Sequence, residues 1–249
     1  MFYYCYDISE IDLSNFNSKH VTNMAYMFYM CQSLTSINLL NFDTSQVTNM
    51  AYMLFYCLEL SILDLSSFDT SKVIDMRYIF STCTKLNKIY LDSFNTSQVG
   101  YMNNMFNGCK SLTQLNVSHF NTSKVIDMSS MFGGCSQLTE LNLSNFDTSN
   151  VLSLKSFISS CSNLKELDIS NFGTLKITNM AFMFSSCSSL TVLNLTNFDT
   201  SSELTMEGMF RYCSSLTILN ISSFNTSKVK NMDSMFNGCR MLSILFIFI

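Results

Sequence analysis

The stretch NFDTSQVTNMAYMLFYC, Asn41–Cys57, returns as NFDTSNVLSLKSFISSC at Asn145–Cys161 and as SFNTSKVKNMDSMFNGC at Ser223–Cys239. Each copy closes on a cysteine. The cysteines fall at Cys5, Cys31, Cys57, Cys83, Cys109, Cys135, Cys161, Cys187, Cys213 and Cys239, always 26 residues apart. Phenylalanine keeps the same interval from Phe16 to Phe224. A fixed period between about twenty and fifty residues marks a solenoid, whose units cannot bury their apolar faces alone and stack to share a core.

Within one period the apolar spacing changes character. In LTSINLLNF, Leu34, Ile37 and Leu39 point inward while Ser36 and Asn38 alternate outward, the period of a short strand. Asp43, Thr44 and Ser45 follow, residues whose side-chain oxygens suit a helix N-cap. Val47, Met50, Met53, Leu54 and Cys57 then recur at steps of three and one, which lie on one face of a helix. The expected coil is a strand, a turn and about three helical turns. The expected fold is an α/β solenoid: a right-handed, leucine-rich-repeat-like coil with a parallel β-sheet on the concave face and short helices on the convex face. Strands spaced ~4.8 Å apart and helices needing ~8–10 Å would bend the stack into an arc. If the convex segments relax to tighter turns, the arc is flatter.

Residues 1–249 read as a single repeat domain of about nine to ten coils, incomplete at both ends. Met1 and Phe2 align with Met27 and Phe28, and the chain stops in mid-strand at Ile249. Solenoids normally close on polar caps. Their absence suggests either a piece of a longer protein or end-to-end self-association through uncapped terminal coils.

Charged residues make up 13% of the chain and the net charge is −4, so no basic surface is available to neutralise nucleic-acid phosphates. Neither terminus carries a secretory signal, and the apolar end MLSILFIFI is about half the length of a membrane span. There is no proline, and nothing reads as a linker.

The pattern L-x-x-L-x-L-S-x-F-[DN]-T-S-x-V-x-x-M-x-x-M-F-x-x-C, closest to consensus at Phe120–Ser149, resembles the BspA-like leucine-rich repeat of bacterial surface proteins and is similar to repeats of mycoplasma surface lipoproteins. The resemblance covers the whole chain. It implies a secreted or cell-surface protein of adhesin type, a non-enzymatic module that binds protein or glycan on another cell or host surface. The alternatives are a passive structural spacer and an intracellular protein-interaction scaffold. Glu203 departs from the pattern, standing where other coils have valine or isoleucine, with Leu204 beside it available to turn inward.

The cysteines could form a disulfide ladder, bind metal or fill the core as small apolar thiols. Helix spacing argues against the first and a straight column against the second, which leaves buried thiols. The column Asp12, Asn38, Asp64, Asn116, Asn142, Asp168, Asn194 and Asn220 reads as scaffold, because evenly spaced oxygens do not converge on a calcium ion. No cofactor or metal is expected. Only His20 and His119 are available as imidazole bases, so no catalytic set can be assembled.

Positions that vary while the frame stays fixed are the better candidates for a site. On the concave face these are Lys88, Tyr90, Asp92, Gln114 and Glu140. On the convex face Tyr26, Tyr29, Tyr52, Phe55, Tyr56 and Tyr78 form an aromatic group confined to one end, either an interaction patch or tyrosines lying flat over a crowded ridge.

Overall fold

The computed structural model describes residues 1–247, so the expected strand end at Ile249 lies outside the described residues. The chain winds as a parallel β-solenoid. Its short strands are β1 (Glu10–Asp12), β2 (Ser36–Asn38), β3 (Ile62–Asp64), β4 (Lys88–Tyr90), β5 (Val192–Asn194), β6 (Ile218–Asn220) and β7 (Ile244–Phe246). They pair in parallel as β1 with β2, β3 with β4, β5 with β6, and β6 with β7. Partners stand one period apart, as in Val192 opposite Ile218 and Ile218 opposite Ile244. The middle residue of a strand faces the core, which leaves Leu63, Leu193 and Leu219 buried.

The opposite wall contains no helix among the described residues, which corrects the expected convex helices. It is built of overlapping reverse turns. In one coil Met27 N–H donates to Met24 C=O, Tyr29 to Tyr26, and Cys31 to Phe28. The alternate N–H groups leave the coil altogether: Met24, Tyr26, Phe28 and Met30 donate to Asn49, Ala51, Met53 and Phe55 of the next coil at 2.7–3.0 Å. This arrangement recurs with the same offsets as far as Tyr212, which donates to Asn237.

Turns that reverse the chain every three residues bring inward the same i, i+3, i+4 positions that a helix would. That is why the apolar spacing misreads as helical. A helix would also spend its N–H groups within the segment, whereas here half of them join neighbouring coils. The first and last turns of each group place their third residue at positive φ, as a type II turn requires. Tyr26 (φ 59°) and Met30 (φ 58°) hold these places in one coil, and Gly108 and Gly134 hold the second of them further along.

Because the turn wall is bonded coil to coil, as the paired strands are, both walls carry strand-like spacing near ~4.8 Å. The mismatch between helix and strand widths that would have forced a strong arc is absent.

Between the walls lies one apolar cluster running from Ile11 to Met235. Val47, Met50, Met53, Leu54 and Cys57 are all fully buried, as are their equivalents in most other coils. Phenylalanine rings stack in file, with centroids 5.4 Å apart for Phe80–Phe106 and 5.8 Å for Phe106–Phe132. Each such side chain contributes about 1.5–3 kcal/mol through burial.

The corner residues expected to cap a helix do a different job. Asp43 Oδ1 accepts the Ser45 N–H at 2.9 Å, a turn closed by its own side chain. Thr44 Oγ1 reaches the next coil, donating to Asp69 C=O at 3.0 Å and accepting Asp69 N–H at 2.8 Å. Thr70, Thr96, Thr122 and Thr200 make the same two-way clasp with Asn95, Asn121, Asp147 and Asn225. These buried threonines therefore tie coils together as the backbone ladder does.

Candidate functional site

The turn wall is continuous, but the strand wall is interrupted. Between β4 and β5 the path of residues 114–116, 140–142 and 166–168 keeps the strand alternation, with Leu115 and Leu141 inward and their neighbours exposed. Among the described residues, no backbone hydrogen bond links these three segments to one another. The ladder is also open between β2 and β3, but there for a single step, whereas here it stays open across three successive coils that carry Gln114, Glu140 and Glu166 in the outward column. Glu140 and Glu166 occupy equivalent places in successive coils, and like charges opposite one another disfavour pairing.

Over this open stretch lies a groove of about 960 Å³. Gln114, Glu140, Lys165, Glu166, Asp168 and Val192 are among the residues that line it, with Leu115, Leu141 and Leu167 forming its floor. Asp168 accepts the Ser170 N–H at 3.0 Å, and that bond holds its carboxyl below the ordinary carboxylate value.

The structure divides the concave residues picked out from the sequence. Gln114 and Glu140 line the groove, whereas Lys88, Tyr90 and Asp92 are not among its lining residues. Lys88 lays its ammonium 4.7 Å from the centroid of its neighbour Tyr90, and Asp92 accepts a 3.4 Å hydrogen bond from Asn116. Lys165, Glu166, Asp168 and Val192 line the groove but are not among the residues picked out from the sequence. The one available signal was the succession of Glu140 and Glu166 in a single column.

The Asp/Asn column is occupied locally. Asp12, Asp64 and Asn142 each accept the N–H two residues on, at 2.9, 2.9 and 3.0 Å. These are turn closures rather than oxygens pooled on one point.

On the turn wall, Tyr26, Tyr29, Tyr52, Phe55, Tyr56 and Tyr78 do form one contiguous group of rings. Tyr26, Tyr52 and Tyr78 stack in one file and Tyr3, Tyr29 and Phe55 in another. Tyr56 meets Phe55 at 5.9 Å. Burial raises the phenol pKa of Tyr29 and of Tyr52.

The cysteines are free thiols. From Cys31 onward each Sγ donates to the carbonyl 29 residues upstream, such as Cys109 to Phe80 C=O at 3.1 Å and Cys135 to Phe106 C=O at 3.2 Å. No helix among the described residues sets their spacing, which corrects that part of the expectation, and the thiols are unpaired with each Sγ from Cys31 onward directed at a carbonyl. Burial pushes Cys83, Cys161 and Cys213 up to about 12, so they stay protonated and unreactive.

Glu203 is the clearest anomaly. It is fully buried, while Leu204, expected as its inward substitute, is 40% exposed. Glu203 Oε1 accepts the N–H groups of Met180, Leu204 and Thr205 at 3.1, 3.2 and 3.0 Å, and Oε2 has no partner. Three donors hold the side chain inward more firmly than an unbonded leucine could displace it.

A parallel β-solenoid of this kind, with a repeated frame and locally varied walls, defines a repeat protein built by stacking one 26-residue unit. The family described as "Mycoplasma protein of unknown function, DUF285" matches residues 1–113, 55–167 and 152–244, nearly the whole chain, and the chain belongs to that family. The expected kinship with mycoplasma repeats is borne out. Comparison with curated proteins gives no match. Similar solved structures include a leucine-rich repeat protein from Bacteroides ovatus ATCC 8483, at 16% identity, covering 97% of this chain and 79% of that one, with a TM-score of 0.37. Another is a leucine rich cell surface protein from Faecalibacterium prausnitzii A2-165, at 16% identity, covering 96% and 83%, with a TM-score of 0.36. No helix among the described residues is long and apolar enough to cross a membrane.

Proposed function

We propose that the chain is a non-enzymatic recognition module displayed at a cell surface, binding a protein or glycan through the strand-wall groove. The observation that carries this reading is the coincidence of three features over one stretch: the ladder stays open through three successive coils, a groove of about 960 Å³ lies over them, and the outward residues vary while the frame does not. Glu140, Glu166 and Asp168 with Lys165 and Gln114 offer hydrogen bonds of both senses, and the leucine floor offers apolar contact, the mixture typical of ligand sites. Lys88, Tyr90 and Asp92 extend the same face by one coil. Placement at the surface rests on the resemblance to surface-protein repeats.

The absence of catalysis rests on the side chains. The chain has two histidines, and His119 Nε2 lies 3.0 Å from Leu91 C=O, engaged by the frame.

The test is binding of the purified chain to intact epithelial cells and to an immobilised glycan panel. Saturable binding that falls at least tenfold in the Gln114→Ala/Glu140→Ala/Glu166→Ala variant supports the reading. Full-strength binding by that folded variant removes the groove as the site, and hydrolysis of a panel member by the purified chain overturns the non-enzymatic assignment.

A further inference from the structure

The aromatic end of the turn wall holds tyrosines in a geometry suited to covalent chemistry. Tyr26, Tyr52 and Tyr78 occupy the same place in three successive coils, at φ of 59°, 58° and 57°, so their side chains leave the backbone from one shared conformation. Their rings lie face to face, with centroids 4.9 Å apart at an interplanar angle of 6° for Tyr26–Tyr52, and 4.5 Å at 7° for Tyr52–Tyr78. The coils beneath cannot drift apart, because Tyr26 N–H donates to Ala51 C=O and Tyr52 N–H to Arg77 C=O. Tyr26 is 41% exposed, and Tyr52 and Tyr78 reach the surface in part. Asn104 ends this file in the next coil. In the neighbouring file Tyr3 stacks on Tyr29 at 5.0 Å, and Phe55 follows at 5.0 Å with no hydroxyl to oxidise.

We propose that this stack is an oxidative cross-linking site, where one-electron oxidation joins adjacent coils through dityrosine bonds at Tyr26–Tyr52 and Tyr52–Tyr78. The oxidant is hydrogen peroxide acting through a haem peroxidase. Each phenol gives up one electron and its hydroxyl proton, leaving two phenoxyl radicals. These couple between ring carbons ortho to oxygen, and each of those carbons returns its hydrogen to the oxygen, restoring both phenols. For each bond formed, one peroxide takes up the two electrons and two protons and becomes two waters. The fold supplies proximity: two radicals held within one stacking distance react without a diffusional encounter, an advantage that holding reactants together commonly makes large. All three rings reach solvent at least in part, which leaves them room to slide and tilt into the biaryl bond. The product is a covalent staple between residues 26 apart. This inference is independent of the strand-wall groove.

The experiment treats the full chain, at low micromolar concentration, with peroxidase and hydrogen peroxide. Dityrosine fluorescence and peptide mapping follow. The expected result is monomer containing linked peptides that pair Tyr52 with Tyr26 or Tyr78, each lighter by two hydrogens than the sum of its parts. Tyr52→Phe keeps the ring and the stack, and is expected to melt as the parent does, yet to lose both links and at least half of the fluorescence. Dityrosine found only between molecules would overturn the proposal, as would fluorescence unchanged in Tyr52→Phe.

Discussion

A single buried carboxyl gives the sharpest test of the structure. Glu203 is enclosed in a column otherwise filled by valine and isoleucine, and burial raises its pKa from the ordinary 4.5 to about 7, against the lesser pull of the three N–H groups on Oε1. Below pH 4.5 both folded and unfolded chains hold the proton, and the full stability is present. As the pH rises the unfolded chain releases its proton first, so stability falls, levelling off once the pH has passed about 7 and the folded chain ionises too. The difference between the two values corresponds to about 3 kcal/mol at 1.36 kcal/mol per pH unit. For a chain of this size that is a Tm change of roughly 6–12 °C. Denaturant unfolding of the parent and of Glu203→Gln across pH 5 to 8 isolates the effect, because the amide keeps the shape and cannot titrate. The parent is expected to lose about 2–3 kcal/mol over that range relative to the variant. Glu203→Val, which restores the column, should match or exceed the variant's stability at pH 8. Hydrogen exchange at Met180, Leu204 and Thr205 places the loosening at this seam. Parallel pH profiles for the parent and Glu203→Gln would refute the buried, protonated carboxyl.

Thr122→Val removes a hydroxyl that both donates to and accepts from Asp147 backbone; stranding two buried groups should lower unfolding free energy by about 2–3 kcal/mol in urea titration. Gly208→Ala places a methyl 2.4 Å from the Phe182 ring at a φ of 55°, for an expected loss of about 1–2 kcal/mol, partly recovered when Phe182 is also made alanine. A thiol-reactive disulfide reagent at pH 8 should label only Cys5 and Cys239 in the native chain, the two that are not buried, and all ten after denaturation; labelling of more than two in the native state would count against the buried column. Among the described residues no strand pairs beyond β7, where Leu245 and Phe246 are 36% and 50% exposed, so sedimentation velocity should show concentration-dependent association of the 249-residue chain that Leu245→Lys abolishes.

The period, the inward leucines and the buried cysteine file were legible because each depends on one repeated residue type. The turn wall was not. Val47, Met50, Met53, Leu54 and Cys57 would face inward from a helix or from a run of reverse turns alike, and only the destination of the alternate N–H groups separates the two. Thr44 was visible as a good local hydrogen-bonding residue, but its partner Asp69 lies in another coil, beyond any local rule. Glu203 and Leu204 show the same limit: hydropathy favours the leucine inward, and three backbone donors reverse the order. Of the groove, Gln114 and Glu140 were found by their variability, whereas its extension to Lys165, Glu166 and Asp168 follows from where pairing fails between strands.

The threonine clasps have a bearing on how such a chain can change in length. Deleting residues 121–146 would join Phe120 to Asp147, present Asp147 to Thr96 in place of Asn121, and bring Cys161 under Phe106 C=O in place of Phe132. Every tie would be remade with an equivalent partner. Adding one residue inside a coil would instead misalign the clasps, the thiols and the ring files on either side of it at once. The molecule thus behaves like a stack of interchangeable tiles, tolerant of how many are present and strict about the size of each, and exchange between copies can alter its reach in whole steps while leaving both faces weatherproof.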